Sequence, residues 1–253
     1  MLVPLTATAQ FLTKPKTIEH NPPPLSFFED CVFVCIDIQE GGGEPVTSIP
    51  KTWEAMGYTV ETCNAASLHY GQTVKPNARR VADACRALGL PMVFVHWGAR
   101  FKDGMDMDPR LRKGWAEGTN PEEATPHIDK PGSRPDKGLG IREGEYVLAK
   151  TAQDAFTSCN VGFVLENLEA KHLVFVGGHT NPGGCLGQTA KSARAKGYTI
   201  LCIEDATYDA GEITRIPGIA AVPFDYVLDT ATFVALAEKA AAGRIAADPI
   251  ASP

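Results

Sequence analysis

Several features that mark membrane proteins and nucleic-acid-binding proteins are missing from this 253-residue chain. No apolar run approaches the roughly 18 to 20 residues that a membrane-spanning helix needs. The chain has no dense Lys or Arg tract, and its formal net charge of -6 argues against binding to nucleic acid or to an anionic membrane. The first residues also lack a basic start before a long apolar core, so we expect a mature cytoplasmic chain.

Cysteine and histidine are present, but not in the patterns that build disulfides or metal sites. The seven cysteines are odd in number and fall mostly in apolar runs, which is typical of buried free thiols in a reducing compartment. No two cysteines have CxxC spacing, and the six histidines form no HxH or HxxxH pair. We therefore expect no metal site and no cofactor.

The composition is that of an ordinary globular protein, with 44% hydrophobic and 21% charged residues. A chain of this length can form one large α/β domain. Residues 1–27 are rich in Pro and Thr, and they predict an extended arm before a domain that covers residues 28–253. Residues 97–144 have a loop-like composition, and so long a connection in a compact domain is usually functional. We interpret this connection as a candidate substrate lid.

The rest of the chain alternates between strand-like and helix-like segments. The run CVFVCIDIQ at 31–39 is almost continuously apolar, which is typical of a strand buried on both faces. Residues 75–89 have helical spacing of apolar side chains, and the strand PMVFVH follows them. Further on, the strands EYVLAK, HLVFVG, YTILCIED and YVLD are separated by helical segments. This alternation predicts a mainly parallel sheet with helices on both faces, a three-layer α/β/α fold.

Three chemically active side chains follow apolar strands: Asp37, Lys150 and Cys185. Ligands of such sheets bind beyond the carboxyl ends of the strands, so these three residues are candidates for one site. Asp37 can take the proton of the thiol, while Lys150 holds the carboxylate and favours the thiolate. Cys185 also follows a glycine-rich turn at the start of a predicted helix, where backbone N–H groups and the helix dipole stabilise a thiolate.

Each of these residues also has an ordinary structural explanation. A cysteine in a turn is commonly a small buried residue, and an aspartate after a strand is commonly a cap or a turn residue. A lysine at the end of a strand is commonly a solvated surface residue. The occurrence of all three on the right elements, in order, favours the catalytic interpretation.

The same residues give the sequence a resemblance to the isochorismatase-like cysteine hydrolases, over roughly residues 31–240. The resemblance is carried by the motifs VCIDIQE, KTAQDAF and CLGQTA. It implies a catalytic triad of Asp37, Lys150 and Cys185 and a six-stranded sheet of order 3-2-1-4-5-6. In that order the strand of Lys150 lies two positions, or roughly 10 Å, from the strand of Asp37, so the lysine stem must span the gap.

The resemblance also implies an oxyanion hole made by the backbone N–H groups of Gly184 and Cys185, next to an unusual cis peptide. The two successive glycines before the cysteine could permit such a backbone. The sequence departs from the family in the same turn. Pro182 stands where the family commonly has a threonine, and Thr180 lies farther back, as if the turn were lengthened.

Four further residues are candidates for substrate binding: Gln39, Trp97, Phe156 and His179. Core packing explains the two aromatic residues equally well, and His179 is as well explained by a role in the structure of the turn. The segment HWGARFKDGMDMDP has no legible equivalent of the Asp/His set of metal-binding family members, which again predicts no metal.

The retained cysteine favours amide chemistry, because amide hydrolysis through a thioester needs a thiol and vinyl-ether hydrolysis does not. We expect a cysteine-dependent amidohydrolase that cleaves the C–N bond of a small amide or ureido compound through a thioester intermediate. Family members commonly form dimers or tetramers, and we expect a homo-oligomer whose site is covered partly by the arm or by the long connection. The alternatives are an isochorismatase-type hydrolase that does not use the thiol and a non-catalytic small-molecule binding protein with the same fold.

Overall fold

A six-stranded parallel sheet forms the centre of the computed structural model, which describes residues 18–49, 54, 57–116 and 125–247. The strand order is β3-β2-β1-β4-β5-β6, as the resemblance implies. The strands are β1 Cys31–Ile36, β2 Met92–Trp97, β3 Tyr146–Lys150, β4 His172–Gly178, β5 Thr199–Tyr208 and β6 Tyr226–Leu228.

Helices cover both faces of the sheet, so the three-layer α/β/α prediction is confirmed. They are α1 Val60–His69, α2 Lys75–Ala87, α3 Pro109–Ala116, α4 Ala155–Ser158, α5 Val161–Asn167, α6 Cys185–Ala195, α7 Glu212–Ala221 and α8 Thr230–Ala247. A π-helical turn at Tyr70–Val74 joins α1 to α2. Within the described residues, no helix is both long and apolar enough to cross a membrane.

The apolar run of β1 is explained by its position between two buried faces. Cys31, Phe33 and Cys35 point into the core on the α2 and α8 side, whereas the alternate residues point into the core under α5 and α6. Every residue of β1 is buried. Because successive side chains of a strand point to opposite faces, a central parallel strand needs apolar residues at every position.

Several predicted boundaries differ from those observed. The strand predicted as YTILCIED continues to Tyr208, three residues beyond Asp205. Helix α1 was not predicted. The long connection 97–144 was predicted as loop, but it contains α3 and two short 3₁₀ turns at Pro131–Ser133 and Lys137–Leu139.

The described part of the predicted arm packs on the body of the protein. Residues 1–17 lie outside the described residues, but Asn21 donates its backbone N–H to Val227 O on β6 at 3.1 Å. The buried Phe27 ring lies 4.9 Å from the ring of His172, the first residue of β4. Residues 18–27 therefore contact β6 and the amino end of β4, away from the carboxyl ends of the strands.

The backbones of β1 and β4 approach closely at Gly177, beside the sheet edge where ligands bind in this class of fold. Gly177 has a φ of +105°, and a Cβ atom there would overlap the carbonyl oxygen of Ile36. Gly197 has a similar φ of +94°, but a Cβ atom there would meet nothing within 4 Å. Comparing alanine substitutions at Gly177 and Gly197 therefore separates the cost of the close approach from the cost of a left-handed backbone.

We predict that Gly177→Ala destabilises the protein more than Gly197→Ala does. Each substitution places a Cβ atom on a left-handed backbone, which costs about 1–2 kcal/mol. The Gly177 variant must also relieve the overlap with Ile36 O, and overpacking typically adds about 1–3 kcal/mol. Urea unfolding of both variants measures the difference, and equal losses would show that the close approach of β1 and β4 is not a constraint.

Candidate active site

The three predicted catalytic residues lie together at the carboxyl edge of the sheet. Asp37 follows β1, Lys150 ends β3 and Cys185 begins α6 after β4. The Nζ atom of Lys150 lies 2.9 Å from Oδ2 of Asp37. The thiol of Cys185 lies beside both groups, since each of them acts on its pKa. The structure therefore brings the carboxylate, the ammonium and the thiol into one cluster.

Lys150 reaches Asp37 across the intervening strand β2. Lys150 pairs in register with Trp97 at the end of β2, and its Nζ atom lies 4.2 Å from the centre of the Trp97 ring. The ammonium also donates to Ala152 O at 3.3 Å. The long stem and the aromatic surface below it resolve the 10 Å gap that the strand order creates.

The left-handed backbone conformation of Asp37 orients its carboxylate. Asp37 has a φ of +56°, and its N–H donates to Val95 O at 2.8 Å, so the chain turns sharply as it leaves β1. Aspartate tolerates this conformation better than most residues, and such outliers cluster at functional sites. Oδ2 is held by Lys150, whereas the buried Oδ1 has no hydrogen-bond partner among the described residues.

Burial and the neighbouring Asp37 carboxylate favour a protonated Cys185 thiol at rest. Burial raises the pKa of Cys185, and the Asp37 carboxylate raises it further, against the opposite effect of Lys150. Burial alone would lower the pKa of Lys150, but the neighbouring Asp37 and Cys185 outweigh it and hold that pKa above its usual value. The resting cluster thus consists of a carboxylate, an ammonium and a neutral thiol. A thiol in this state would have to lose its proton before it could act as a nucleophile.

The turn before Cys185 is folded onto the first turn of α6. Gly184 donates its N–H to Asn181 O at 2.8 Å, and Gly187 donates to His179 O at 3.1 Å. Helix geometry leaves the N–H of Cys185, the first residue of α6, without an intrahelical acceptor. The cis peptide lies between Gly178 and His179 rather than at the two glycines before the cysteine. Of the two expected oxyanion donors, the Gly184 N–H therefore already has an acceptor, the carbonyl oxygen of Asn181.

A cavity of about 450 Å³ opens onto two of the three residues, Asp37 and Cys185. This volume is in the range of sites for small molecules. The lining includes Asp37, Cys185, Trp97, His179 and Tyr208, and it also includes Pro126, Gly132 and Ser133 of the long connection. The described part of the connection therefore forms part of the cavity wall.

Gln39 lines the cavity, but its side chain is engaged by backbone groups. Its Oε1 accepts from Trp97 N at 2.9 Å, and its Nε2 donates to Trp97 O and to Gly132 O, both at 3.1 Å. Gln39 thus ties the end of β2 to the long connection. Through these three bonds the side chain holds the long connection against β2, in addition to lining the cavity.

The other candidate binding residues divide into two groups. Trp97 and His179 line the cavity. Phe156 is not among the lining residues, and its ring lies 6.1 Å from that of Tyr198 and 5.6 Å from the Nζ atom of Lys196. The core-packing alternative describes Phe156, because α4 turns this side chain toward α6 and away from the opening.

Sequence reasoning missed Tyr208 and Asp209, which lie where β5 ends. The Tyr208 hydroxyl donates to Asp37 O at 2.8 Å, and its ring lies 4.8 Å from that of His179. Asp209 is buried and accepts hydrogen bonds from the turn before Cys185. The rule applied to the other strands, that polar residues at carboxyl ends merit attention, would have found both if β5 had been predicted at its full length.

No group of three or more His, Cys, Asp or Glu side chains in the described part of the chain could hold a metal ion. His96, the histidine that ends the apolar part of β2, is buried, and burial lowers its pKa. Its Nδ1 lies 2.7 Å from Ser133 O, which can only accept, so His96 braces the long connection.

Comparison with known proteins identifies the family. Residues 31–215 match the model of the isochorismatase domain, and the chain belongs to this family of isochorismatase-like cysteine hydrolases. The chain is 26% identical over 148 residues to N-carbamoylsarcosine amidase from Arthrobacter sp., an alignment that spans 58% of this chain and 52% of that protein. The chain thus matches about half the length of this curated relative.

Solved structures of the family share the fold at low identity. An isochorismatase family protein from Burkholderia thailandensis superposes with a TM-score of 0.61 at 19% identity, over 87% of this chain and 100% of that one. A cysteine hydrolase from Pseudomonas syringae pv. phaseolicola gives 0.63 at 17% identity, over 89% and 99%. N-carbamoylsarcosine amidase from Thermoplasma acidophilum gives 0.53 at 20% identity, over 79% and 96%.

The ion pair predicts a strong energetic coupling between Lys150 and Asp37. Removing one partner of a buried pair leaves an uncompensated charge and typically costs about 3–5 kcal/mol. We predict a loss of this size in the free energy of unfolding for Lys150→Met, and a smaller loss for the double variant Asp37→Asn/Lys150→Met. Denaturant unfolding of the singles and the double measures the coupling.

The pair Lys171–Asp30 is a matched control, because its atoms are 2.8 Å apart but its side chains are 70% and 49% exposed. Exposed pairs contribute about 0–1 kcal/mol, so its coupling should be small. A Lys150–Asp37 coupling no larger than that of the control would contradict the buried ion pair.

Proposed function

We propose that this hydrolase is a cysteine-dependent amidohydrolase that cleaves the C–N bond of a small amide or ureido compound through a thioester. The single observation that carries the proposal is the contact of Cys185 with the buried Asp37–Lys150 pair at the wall of the cavity. The amidase named among the relatives supports the C–N subclass. Cavity size supports a small substrate.

The acylation step follows from the groups around the sulfur. Asp37 takes the thiol proton while the sulfur of Cys185 bonds to the carbonyl carbon. The N–H of Cys185 donates to the oxyanion at the start of α6, where the helix dipole also favours negative charge. The C–N bond then breaks as Asp37 returns the proton to the leaving nitrogen, which departs as an amine or as ammonia.

Water completes the cycle by the same proton path. Asp37 accepts a proton from the attacking water, the C–S bond breaks and the thiolate regains its proton. Lys150 stays protonated throughout, because its pKa is held above the usual value, and it keeps Asp37 oriented and charge-balanced. In this scheme Lys150 exchanges no proton with the substrate.

The two alternatives differ from this proposal in what the thiol does. A non-catalytic binding protein, or an isochorismatase-type hydrolase that bypasses the thiol, has no need of a base beside Cys185. The lengthened turn would favour the first alternative if it displaced the cysteine, but Cys185 lies beside Asp37 and Lys150. The contact therefore favours the thiol-dependent chemistry.

We also propose a cytoplasmic homo-oligomer. All seven cysteines are free, which supports a reducing compartment. Large apolar side chains are exposed at Phe101, Met105 and Phe163, with exposed fractions of 61%, 64% and 69%. Such side chains support a contact between copies of the chain.

We predict that Cys185→Ala abolishes turnover of a substrate found by screening small amides and ureido compounds for ammonia release. The substitution removes the nucleophile, so the loss should approach the detection limit while the free energy of unfolding changes little. Cys202→Ala is the matched control, because Cys202 is a fully buried cysteine of β5 outside the cavity lining. Its activity should stay near that of the unsubstituted protein.

A Cys185→Ala variant that keeps a tenth or more of the activity would rule out the covalent mechanism and would favour the thiol-independent alternative. Loss of activity in both cysteine variants together with loss of folding would point to packing instead. Circular dichroism of each variant separates these results.

A further inference from the structure

We propose that Asp209, the residue after β5, is a positioning residue for the nucleophile. It fixes the turn 179–184, from which α6 and Cys185 begin. This inference rests on the proposed function, because it assigns to Asp209 the placement of the thiol on which that function depends. Asp209 is not itself among the residues that line the cavity, so it acts through the turn.

The carboxylate of Asp209 binds the turn through several hydrogen bonds. Its Oδ2 accepts from Asn181 N at 2.6 Å and from Thr180 Oγ1 at 3.2 Å. The Asn181 amide donates to Oδ2 at 3.0 Å and to Oδ1 at 3.2 Å. His179 Nδ1 lies 3.7 Å from Oδ1. One side chain thus contacts three successive residues of the turn.

The other contacts of Asp209 anchor it to its own end of the sheet. Oδ1 accepts from Ala210 N at 2.7 Å and from Thr214 Oγ1 of α7 at 3.2 Å. The side chain is only 1% exposed. Burial alone would raise the pKa of Asp209, but the His179 ring and the N–H donors outweigh it and hold the pKa well below its usual range. The group is therefore a fixed anion that is bound from several sides.

The position of the turn reaches Cys185 through two backbone bonds. Asn181 O accepts from Gly184, the residue before the nucleophile, and His179 O accepts from Gly187 in the first turn of α6. Loss of the Asp209 contacts would free Asn181 and His179 together, and both N-terminal contacts of α6 would shift with them. The sulfur and the N–H of Cys185 lie between these two contacts.

Close packing on the opposite side supports the same role. A Cβ atom at Gly218 of α7 would lie 2.8 Å from Asn181 N and 2.8 Å from Thr180 O. The turn is therefore held between the Asp209 carboxylate and the backbone of α7. This arrangement leaves it little room to move, and it offers a second way to displace the turn without touching the carboxylate.

The experiment measures the alkylation rate of Cys185 by iodoacetamide in the full chain, with each cysteine followed separately by mass spectrometry. We expect Asp209→Ala to lower this rate at least tenfold and kcat by about a hundredfold, the size of loss that a displacement near 1 Å produces. Removing a nearby negative charge would by itself favour the thiolate and raise the rate. A decrease in the alkylation rate therefore indicates positioning, whereas an increase indicates a simple charge effect.

Asp205→Ala is the matched control, because Asp205 also lies in β5 but binds Thr230 N, Thr230 Oγ1 and Asn77 Nδ2 instead of the turn. It should lose stability and keep the alkylation rate of Cys185 within about twofold. Asp209→Asn retains one acceptor oxygen and should give an intermediate rate, a partial rescue that a general loss of stability would not produce.

An unchanged or increased rate in a folded Asp209→Ala variant overturns the inference. If that variant does not fold, Gly218→Ala provides the test instead. Its added Cβ atom presses on Asn181 and Thr180, so it should also lower the alkylation rate of Cys185 at least tenfold. Failure of the proposed function looks different: Cys185 of the unsubstituted protein would then react no faster than the half-buried Cys159.

Discussion

The buried ion pair between Lys150 and Asp37 is the interaction on which the site depends. The 2.9 Å contact joins residues from strands that are not neighbours in the sheet. Taking two ions out of water costs several kcal/mol each, so the pair persists only with close geometry and further hydrogen bonds. The left-handed backbone at Asp37 and the Trp97 ring under Lys150 supply that geometry. The pair also places the Asp37 carboxylate beside the thiol of Cys185.

Much of the fold and of the triad could be predicted from the sequence because both depend on local, regular signals. Uninterrupted apolar runs such as that of β1 arise only where both faces of a strand are covered, and they gave the parallel sheet directly. Asp37, Lys150 and Cys185 could be placed together since each follows such a run, and parallel strands end at one edge. The strand order came from the resemblance, not from the pattern.

The parts that could not be predicted depend on long-range contacts. Tyr208 and Asp209 were missed because β5 continues through polar residues beyond Asp205, where only pairing with β4 keeps the chain extended. The bracing role of Gln39 depends on the path of the long connection, which no periodicity reveals. Phe156 is of a residue type that could line a cavity or pack in the core, and only the packing of α4 against α6 decides which way its ring points. The same limit applies to the turn before Cys185, where Asn181 binds the Asp209 carboxylate, 28 residues away along the chain.

The central claim is that the Cys185 sulfur carries the acyl group during turnover. Acid quenching of the enzyme during steady-state turnover of an amide substrate, followed by mass spectrometry of the Cys185 peptide, tests it most directly. The account predicts an added mass equal to the acyl part of the substrate on this peptide, absent in Cys185→Ala and removed by hydroxylamine. Rapid turnover with no adduct on Cys185, or with an adduct on another residue, would contradict the account.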